Sequence, residues 1–577
     1  MTRPSRVLAG LLVTLTGCYL FSDEPKARKH SGDPIAADEP APSKPAADLP
    51  IAAAPGCPSV LTGTEASDRV IASECGAVEV RGQYRIEGGS LTLGAGVELR
   101  FEAGAVLDVG RAKPGKLRIE GTPERPVKLT GTGQAWLGVR LHGQATGSNL
   151  QNLIIEDAGE SQRAALWIAA EGVQIAGLTI TGAPELSLEL AAERNIEIHG
   201  AKLAGAKLVA RASPQTAGGL HELELEPGAS VAVVAGRIEG EVEWSVPHLR
   251  VEGFVRIEGS EQAPAALTIA PGTRVEFDPA ARLIVGGFQP GTLIARGRED
   301  AKIRFDASDP TAGWPGVYVQ ARGDATLDQV ELGHAGPRDE AAILAEGEAR
   351  LAIDHCQIHD SSVGVELRGT TLTLASFGHN VFRQVPAALR LAPQVLGQLG
   401  EGNDYDEQAR IHVERGKIET SQTWRRQATT LIVHGDVSVD RGATLTIEAG
   451  SRLEFDAGVI LQVGYYEAST LELRGSEALP IFLGPSELGP SDAASPWGGV
   501  MVAGYATRNR FEHVELRSTS GAAGIVLHEG ADATLIDVDC AACAHASVKW
   551  DCESEIGNLD VTASEGTPLA LLAPSCP

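Results

Sequence analysis

The sequence predicts an all-β chain wound into a solenoid, a parallel β-helix, and three observations carry that prediction. A long segment recurs three times, the apolar residues inside each copy alternate with period two, and a shorter step of 21 to 25 residues runs through the copies. A strand-turn-strand coil cannot bury its inward face alone. Stacked coils can, because each pairs its strands with the coils before and after it.

The long repeat is read from three aligned segments. Leu91-Thr-Leu-Gly-Ala-Gly-Val-Glu-Leu-Arg-Phe101 returns as Leu267-Thr-Ile-Ala-Pro-Gly-Thr-Arg-Val-Glu-Phe277 and Leu445-Thr-Ile-Glu-Ala-Gly-Ser-Arg-Leu-Glu-Phe455, at spacings of 176 and 178 residues. Leu117-Arg-Ile-Glu-Gly-Thr122, Leu293-Ile-Ala-Arg-Gly-Arg298 and Leu471-Glu-Leu-Arg-Gly-Ser476 follow in order. After them come Trp136-Leu-Gly-Val139, Trp314-Pro-Gly-Val317 and Trp497-Gly-Gly-Val500. Order and spacing persist together, which excludes chance.

Within each copy, Leu99 and Phe101, Val275 and Phe277, and Leu453 and Phe455 alternate with charged residues, so a strand with one buried face is expected there. The charged neighbours Arg100, Glu276 and Glu454 are expected outside. Gly96, Gly272 and Gly450 precede these strands, where a tight corner favours a residue free of a side chain. The short step appears as Leu153, Leu178 and Ala201, and again as Val514, Val538 and Leu559. Three separate β-sandwiches would account for the long repeat but not for this step.

These features resemble the bacterial secreted right-handed parallel β-helix proteins. The residues that carry the resemblance are the Leu-Thr-Ile-x-x-Gly strands, the Gly-Thr or Gly-Ser after Leu117 and Leu471, and the Trp-x-Gly-Val segments. The resemblance implies a right-handed parallel β-helix over 56–577, built from three repeats of about 177 residues (approximately 80–243, 244–423 and 424–577). It is specific for fold and carries no activity, since the same solenoid serves lyases, hydrolases and adhesins.

The N-terminus reads differently. Arg3 and Arg6 precede an apolar run from Val7 to Leu15, too short to span a bilayer and the right length for a signal-peptide core. It ends in Leu15-Thr-Gly-Cys18, which resembles the lipobox of bacterial lipoproteins. The resemblance implies that residues 1–17 are a signal peptide, that Cys18 is lipidated, and that the chain is anchored at the outer membrane or cell surface of a Gram-negative bacterium. Residues 18–55 carry prolines at 25, 34, 40, 42, 45, 50 and 55 among Ala, Asp, Glu and Lys. With so little to bury, they are expected to be a disordered tether.

Composition sets the remaining limits. The chain has 49 Lys plus Arg against 76 Asp plus Glu, and a net charge of −27 repels a phosphate backbone, so nucleic acid is excluded as an expected partner. The membrane, through the lipid, and a polysaccharide are the expected partners, and a monomer is the expected state. No phosphate loop, nucleophile elbow or dinucleotide motif is present, so neither a cofactor nor a catalytic residue is assigned.

Four groups of residues invite a chemical reading. Trp136, Trp314 and Trp497 are candidates for stacking on sugar rings if they project outward, and candidates for filling corners if they do not. Asp354-His-Cys-Gln-Ile-His-Asp360 looks like a metal cluster. On one straight strand, however, His355 and His359 would share a face about 13 Å apart, too far for joint ligation, with Cys356 and Ile358 inward. No metal is therefore assigned, and His359-Asp360 is left as a potential acid/base pair. Asn403-Asp-Tyr-Asp-Glu407 offers oxygen ligands without the spacing of a calcium loop. Export makes disulfides expected, with Cys57, Cys75, Cys552 and Cys576 the candidates for closing the two ends and Cys356 a buried free thiol.

The functional expectation is a non-catalytic, envelope-anchored β-helix lipoprotein, structural or polysaccharide-binding. The alternative is a polysaccharide lyase, hydrolase or epimerase working in a groove along the solenoid.

Overall fold

The computed structural model describes residues 57–160, 163–194, 196–205, 208–486, 495–564 and 566–572. These residues form a parallel β-helix of about 21 turns. Each coil contributes short strands that pair in parallel with the next coil. Ser90–Gly94, Glu98–Phe101 and Val106–Val109 pair with Lys116–Glu120, Val127–Gly131 and Gly138–Leu141 respectively.

Alternation decides the inside. Leu99, Phe101, Val275, Phe277 and Leu453 are fully buried, and Phe455 is 1% exposed. Gly96, Gly272 and Gly450 take φ of +80°, +82° and +72°, the left-handed corner at which a Cβ would be strained. Arg100 is exposed, as expected, but Glu454 is only 5% exposed. Arg452 of the same strand bonds it at 2.8 Å and lies over the ring of Phe482 in the next coil.

The three repeat tryptophans point inward. Trp136, Trp314 and Trp497 are fully buried and stack on Phe101, Phe277 and Phe455, with ring centroids 3.8, 3.9 and 4.3 Å apart. Each indole N–H donates to a backbone carbonyl, of Glu156, Gly333 and Arg517. The reading of Trp136, Trp314 and Trp497 as glycan platforms is therefore corrected. A large ring fills a wide corner of the core, and its one donor is satisfied there.

Successive repeats are set one side further round the solenoid. The sheet that holds Val106–Val109 in the first repeat runs through Leu166–Ile168, Leu188–Leu190, Ser230–Val233 and His248–Val251 and arrives at Arg274–Phe277. By sequence, Arg274–Phe277 is the counterpart of Glu98–Phe101, not of Val106–Val109. In the same way the sheet of Arg282–Val285 leads to Arg452–Phe455.

The cause is an extra side inserted once per junction. A 3-10 turn, Thr216–Gly219, and a one-turn helix, Pro393–Leu396, each follow a strand where a corner would otherwise close the coil. The next coil then builds a new strand on that side, Gly236–Ile238 in one case and Gly416–Ile418 in the other. The Gln215 Oε1 atom accepts the Glu239 N–H at 3.0 Å, and Gln394 accepts that of Glu419 at 3.1 Å. Trp244 and Trp424 fill these junctions from inside, with the Trp244 indole bonded to the Pro214 carbonyl at 3.0 Å. An older side ends at each junction, at Glu224–Leu225 in the first and at Asp404–Tyr405 in the second, where buried Tyr405 donates its hydroxyl to Gln427.

Cys57 and Cys75 are joined, with Cα atoms 5.1 Å apart, beside the first strand Val60–Glu65. Cys540 bonds Cys543, and Cys552 is also disulfide-bonded. Cys576 and Cys18 lie outside the described residues.

Candidate ligand-binding face

In a parallel stack, residues at the same register sit directly above one another, about 4.8 Å apart. The sheet that passes from Val106–Val109 to Arg274–Phe277 therefore presents one continuous outward column. It begins Arg85, Asp108, Arg140, Trp167, Glu189 and Arg211. Signs alternate around the tryptophan, which avoids stacked like charges.

Trp167 is partly exposed, between inward-facing Leu166 and Ile168 on one strand. Arg140 below it is tied to the backbone, donating to the carbonyls of Leu137 and Ala164 at 2.6 Å, and burial lowers its pKa. His142 meets the edge of the Trp167 ring at 5.2 Å and bonds Asp108 through Nε2 at 2.8 Å. Asp108 is 4% exposed and also accepts from the Gln83 amide. Arg140, His142, Arg163, Ala164, Trp167 and Glu189 line a shallow depression. Sequence reasoning passed over Trp167 because it has no counterpart in the other repeats. The signal was present nonetheless, since an indole lies out of phase with the alternation of Leu166 and Ile168.

Further along the same sheet the column continues to Glu276, Asp306, Gly333, His359 and Arg383. Here the expectation for residues 354–360 is corrected in part. Cys356 and Ile358 are inward, but His355 and His359 do not share a strand. His355 has φ +52° and forms the corner between Arg350–Asp354 and Gln357–His359, where it bonds Asp328 at 3.1 Å and stacks on His379. Its neighbour in sequence, His359, meets His334 of the preceding coil instead, with ring centroids 5.9 Å apart.

The cluster around His359 is dense. His359 Nδ1 lies 2.7 Å from Asp360 Oδ2, and His334 Nε2 lies 3.9 Å from the same oxygen. The far nitrogens also face carboxylates, His334 Nδ1 at 2.8 Å from Asp306 and His359 Nε2 at 3.5 Å from Glu331. Among the described residues a second trio, Glu197, His199 and His221, also brings possible metal donors together, on an exposed surface. A third constellation is a chain rather than a cluster. His412 Nδ1 lies 2.7 Å from His434 Nε2, and His434 Nδ1 lies 2.9 Å from Asp456.

The oxygen-rich run at 403–407 is spent on the fold. Asn403 Oδ1 accepts the backbone N–H of Asn380 at 3.1 Å, Asp404 pairs with Arg383, and Tyr405 is buried.

Residues 416–532 match the family described as the pectate-lyase-like β-helix domain. That stretch opens on the new strand of the second junction, Gly416–Ile418, and ends where the strand Asp532–Ala541 begins. The match supports the β-helix and says nothing of catalysis. No curated protein matches the chain.

Proposed function

We propose that the protein is an envelope-anchored, non-catalytic β-helix lipoprotein that holds a polysaccharide against the face carrying Trp167. The observation that carries this reading is the partly exposed indole itself, set in an open depression, met at its edge by His142 and in register with Arg140 on the preceding coil. A pyranose ring stacks on such a face through its C–H groups. Exposed Arg163 at the rim suits a sugar that bears a carboxylate or sulfate. Asp108 is buried and bonded to His142 and Gln83, which suits a role in holding the platform.

Anchoring rests on Leu15-Thr-Gly-Cys18 and the proline-rich stretch after it, which would give a lipid-held solenoid reach above the membrane. No helix among the described residues is long and apolar enough to cross a membrane.

Two experiments test the reading. On an array of acidic and neutral glycans the protein binds a polysaccharide, and Trp167→Ala removes that binding while His199→Gln does not. Retention by Trp167→Ala refutes the site. Cys18→Ser moves the protein from the membrane fraction to a soluble pool, and unchanged fractionation with no lipid on the N-terminal peptide refutes the anchor.

The competing reading, an enzyme that cleaves or epimerises a polysaccharide along the same sheet, draws its support from the histidine-carboxylate cluster at His334 and His359. Turnover of an array-identified glycan, lost in His359→Gln, would establish it.

A further inference from the structure

We propose that His334, His359 and Asp360 form a binding site for a divalent cation of the zinc class. The site does not depend on the glycan reading, since it lies many coils from Trp167 on the same sheet.

Convergence is the first argument. The donor atoms of the three residues all lie within 4.8 Å of one another. Two imidazole nitrogens and one carboxylate form a donor set that suits zinc, and metal–ligand bonds of about 2.1 Å place tetrahedral donors about 3.4 Å apart. The observed separations from Asp360 Oδ2, 2.7 Å to His359 and 3.9 Å to His334, straddle that value, so side-chain shifts of well under an ångström per donor suffice. Three protein ligands leave a fourth position for water or another group.

The surrounding carboxylates are the second argument. Metal-bound histidines hold their other ring nitrogen on an acceptor, which fixes the ring and its tautomer. His334 is so held by Asp306 at 2.8 Å, and the far nitrogen of His359 faces the Glu331 carboxylate at 3.5 Å. Glu331 is steadied in turn by Arg304 at 3.2 Å.

Gly333 lies in register beneath His359, and a Cβ there would stand 2.5 Å from His359 Cε1 and 3.0 Å from Asp306 Oδ1. Gly333 does not have a left-handed φ, so a side chain there would meet the ring laid across it and not a backbone restraint.

The other histidine groups fail the same criteria. His199 and His221 share the one carboxylate of Glu197, at 4.0 and 3.1 Å, with side chains more open to solvent. His412 and His434 point at each other at 2.7 Å and so do not converge on a third donor.

The test uses the purified full-length chain, stripped with a chelator and titrated with Co²⁺, whose visible d–d absorption reports tetrahedral nitrogen and oxygen ligation, followed by competition with Zn²⁺. One equivalent is expected to bind and to be displaced by zinc. His334→Gln and His359→Gln should abolish the absorption. Asp306→Asn should weaken binding by about 10- to 100-fold, as loss of an orienting carboxylate does. His199→Gln should bind as the unaltered chain does. Far-UV circular dichroism shows which variants fold, and Asp306→Asn keeps the test open if a ligand variant does not. The proposal is overturned if the stripped chain takes up neither metal, if folded His334→Gln or Asp306→Asn binds with undiminished affinity, or if His199→Gln is the variant that loses the signal.

Discussion

Phe101 and Trp136 lie on neighbouring coils and stack with ring centroids 3.8 Å apart and planes inclined by 13°. Phe277 with Trp314 and Phe455 with Trp497 repeat the arrangement. Both rings of each pair are among the largest fully buried side chains of the described residues.

Truncation of this stack should therefore be costly. Phe277→Ala or Trp314→Ala should lower stability by about 3 to 5 kcal/mol, as expected for a large cavity in a packed core. Trp167→Ala should cost far less, because that ring is partly exposed. Chemical unfolding of the three variants checks the order, and equal losses at Trp314 and Trp167 would refute the assignment of faces.

Charged positions on the outer face should separate into two classes. Arg100→Ala should stay within about 0.5 kcal/mol of the parent. Glu454→Ala should cost about 1 kcal/mol, because it removes a 5% exposed carboxylate bonded to Arg452. Unfolding midpoints measured side by side decide between this outcome and a uniform outer face.

Acid should weaken the end of the second repeat through His412, in the strand Arg410–Val413. Burial, and then the neighbouring His434, push its pKa down to about 4. An unfolded histidine takes its proton near 6.5, so between about pH 4 and 6.5 the unfolded chain binds more protons than the folded one. Stability from this group is complete above pH 6.5 and falls as pH drops toward 4. His412→Asn should therefore show a shallower loss of melting temperature between pH 7 and 5 than the parent. Identical pH profiles would remove His412 from the account.

Cys356 should resist alkylation in the native protein. It is free, 1% exposed, and its pKa is pushed up to about 12 by burial, so almost no thiolate forms at pH 8. Iodoacetamide should label it only after unfolding, as read by mass spectrometry of the peptide that carries it. Rapid native labelling would place it at the surface.

Much of the fold was legible in the residues. The inward positions of Leu99, Phe101, Val275, Phe277, Cys356 and Ile358 follow from period-two alternation, which is local and survives any global arrangement. The left-handed corners at Gly96, Gly272 and Gly450 are local too. The candidate sites were less legible. Trp167 could be read from its phase, but the orientation of Trp136, Trp314 and Trp497 could not, because a repeated aromatic at a corner fits equally well inside a wide coil or outside a narrow one.

What the sequence alone determined is the coil: strand, corner, inward face and the step that brings each coil over the last. What only the tertiary structure decided is which residues of different coils meet. His334 joins His359 and not His355, because a left-handed corner at His355 turns the chain onto another side, and because Gly333 leaves room for a ring from the coil above. Repeats that look superimposable in sequence lie on different sides of the solenoid, because Thr216–Gly219 and Pro393–Leu396 each add a side. Register between coils is set by the accumulated length of every side and corner, a sum over many residues that no single motif records.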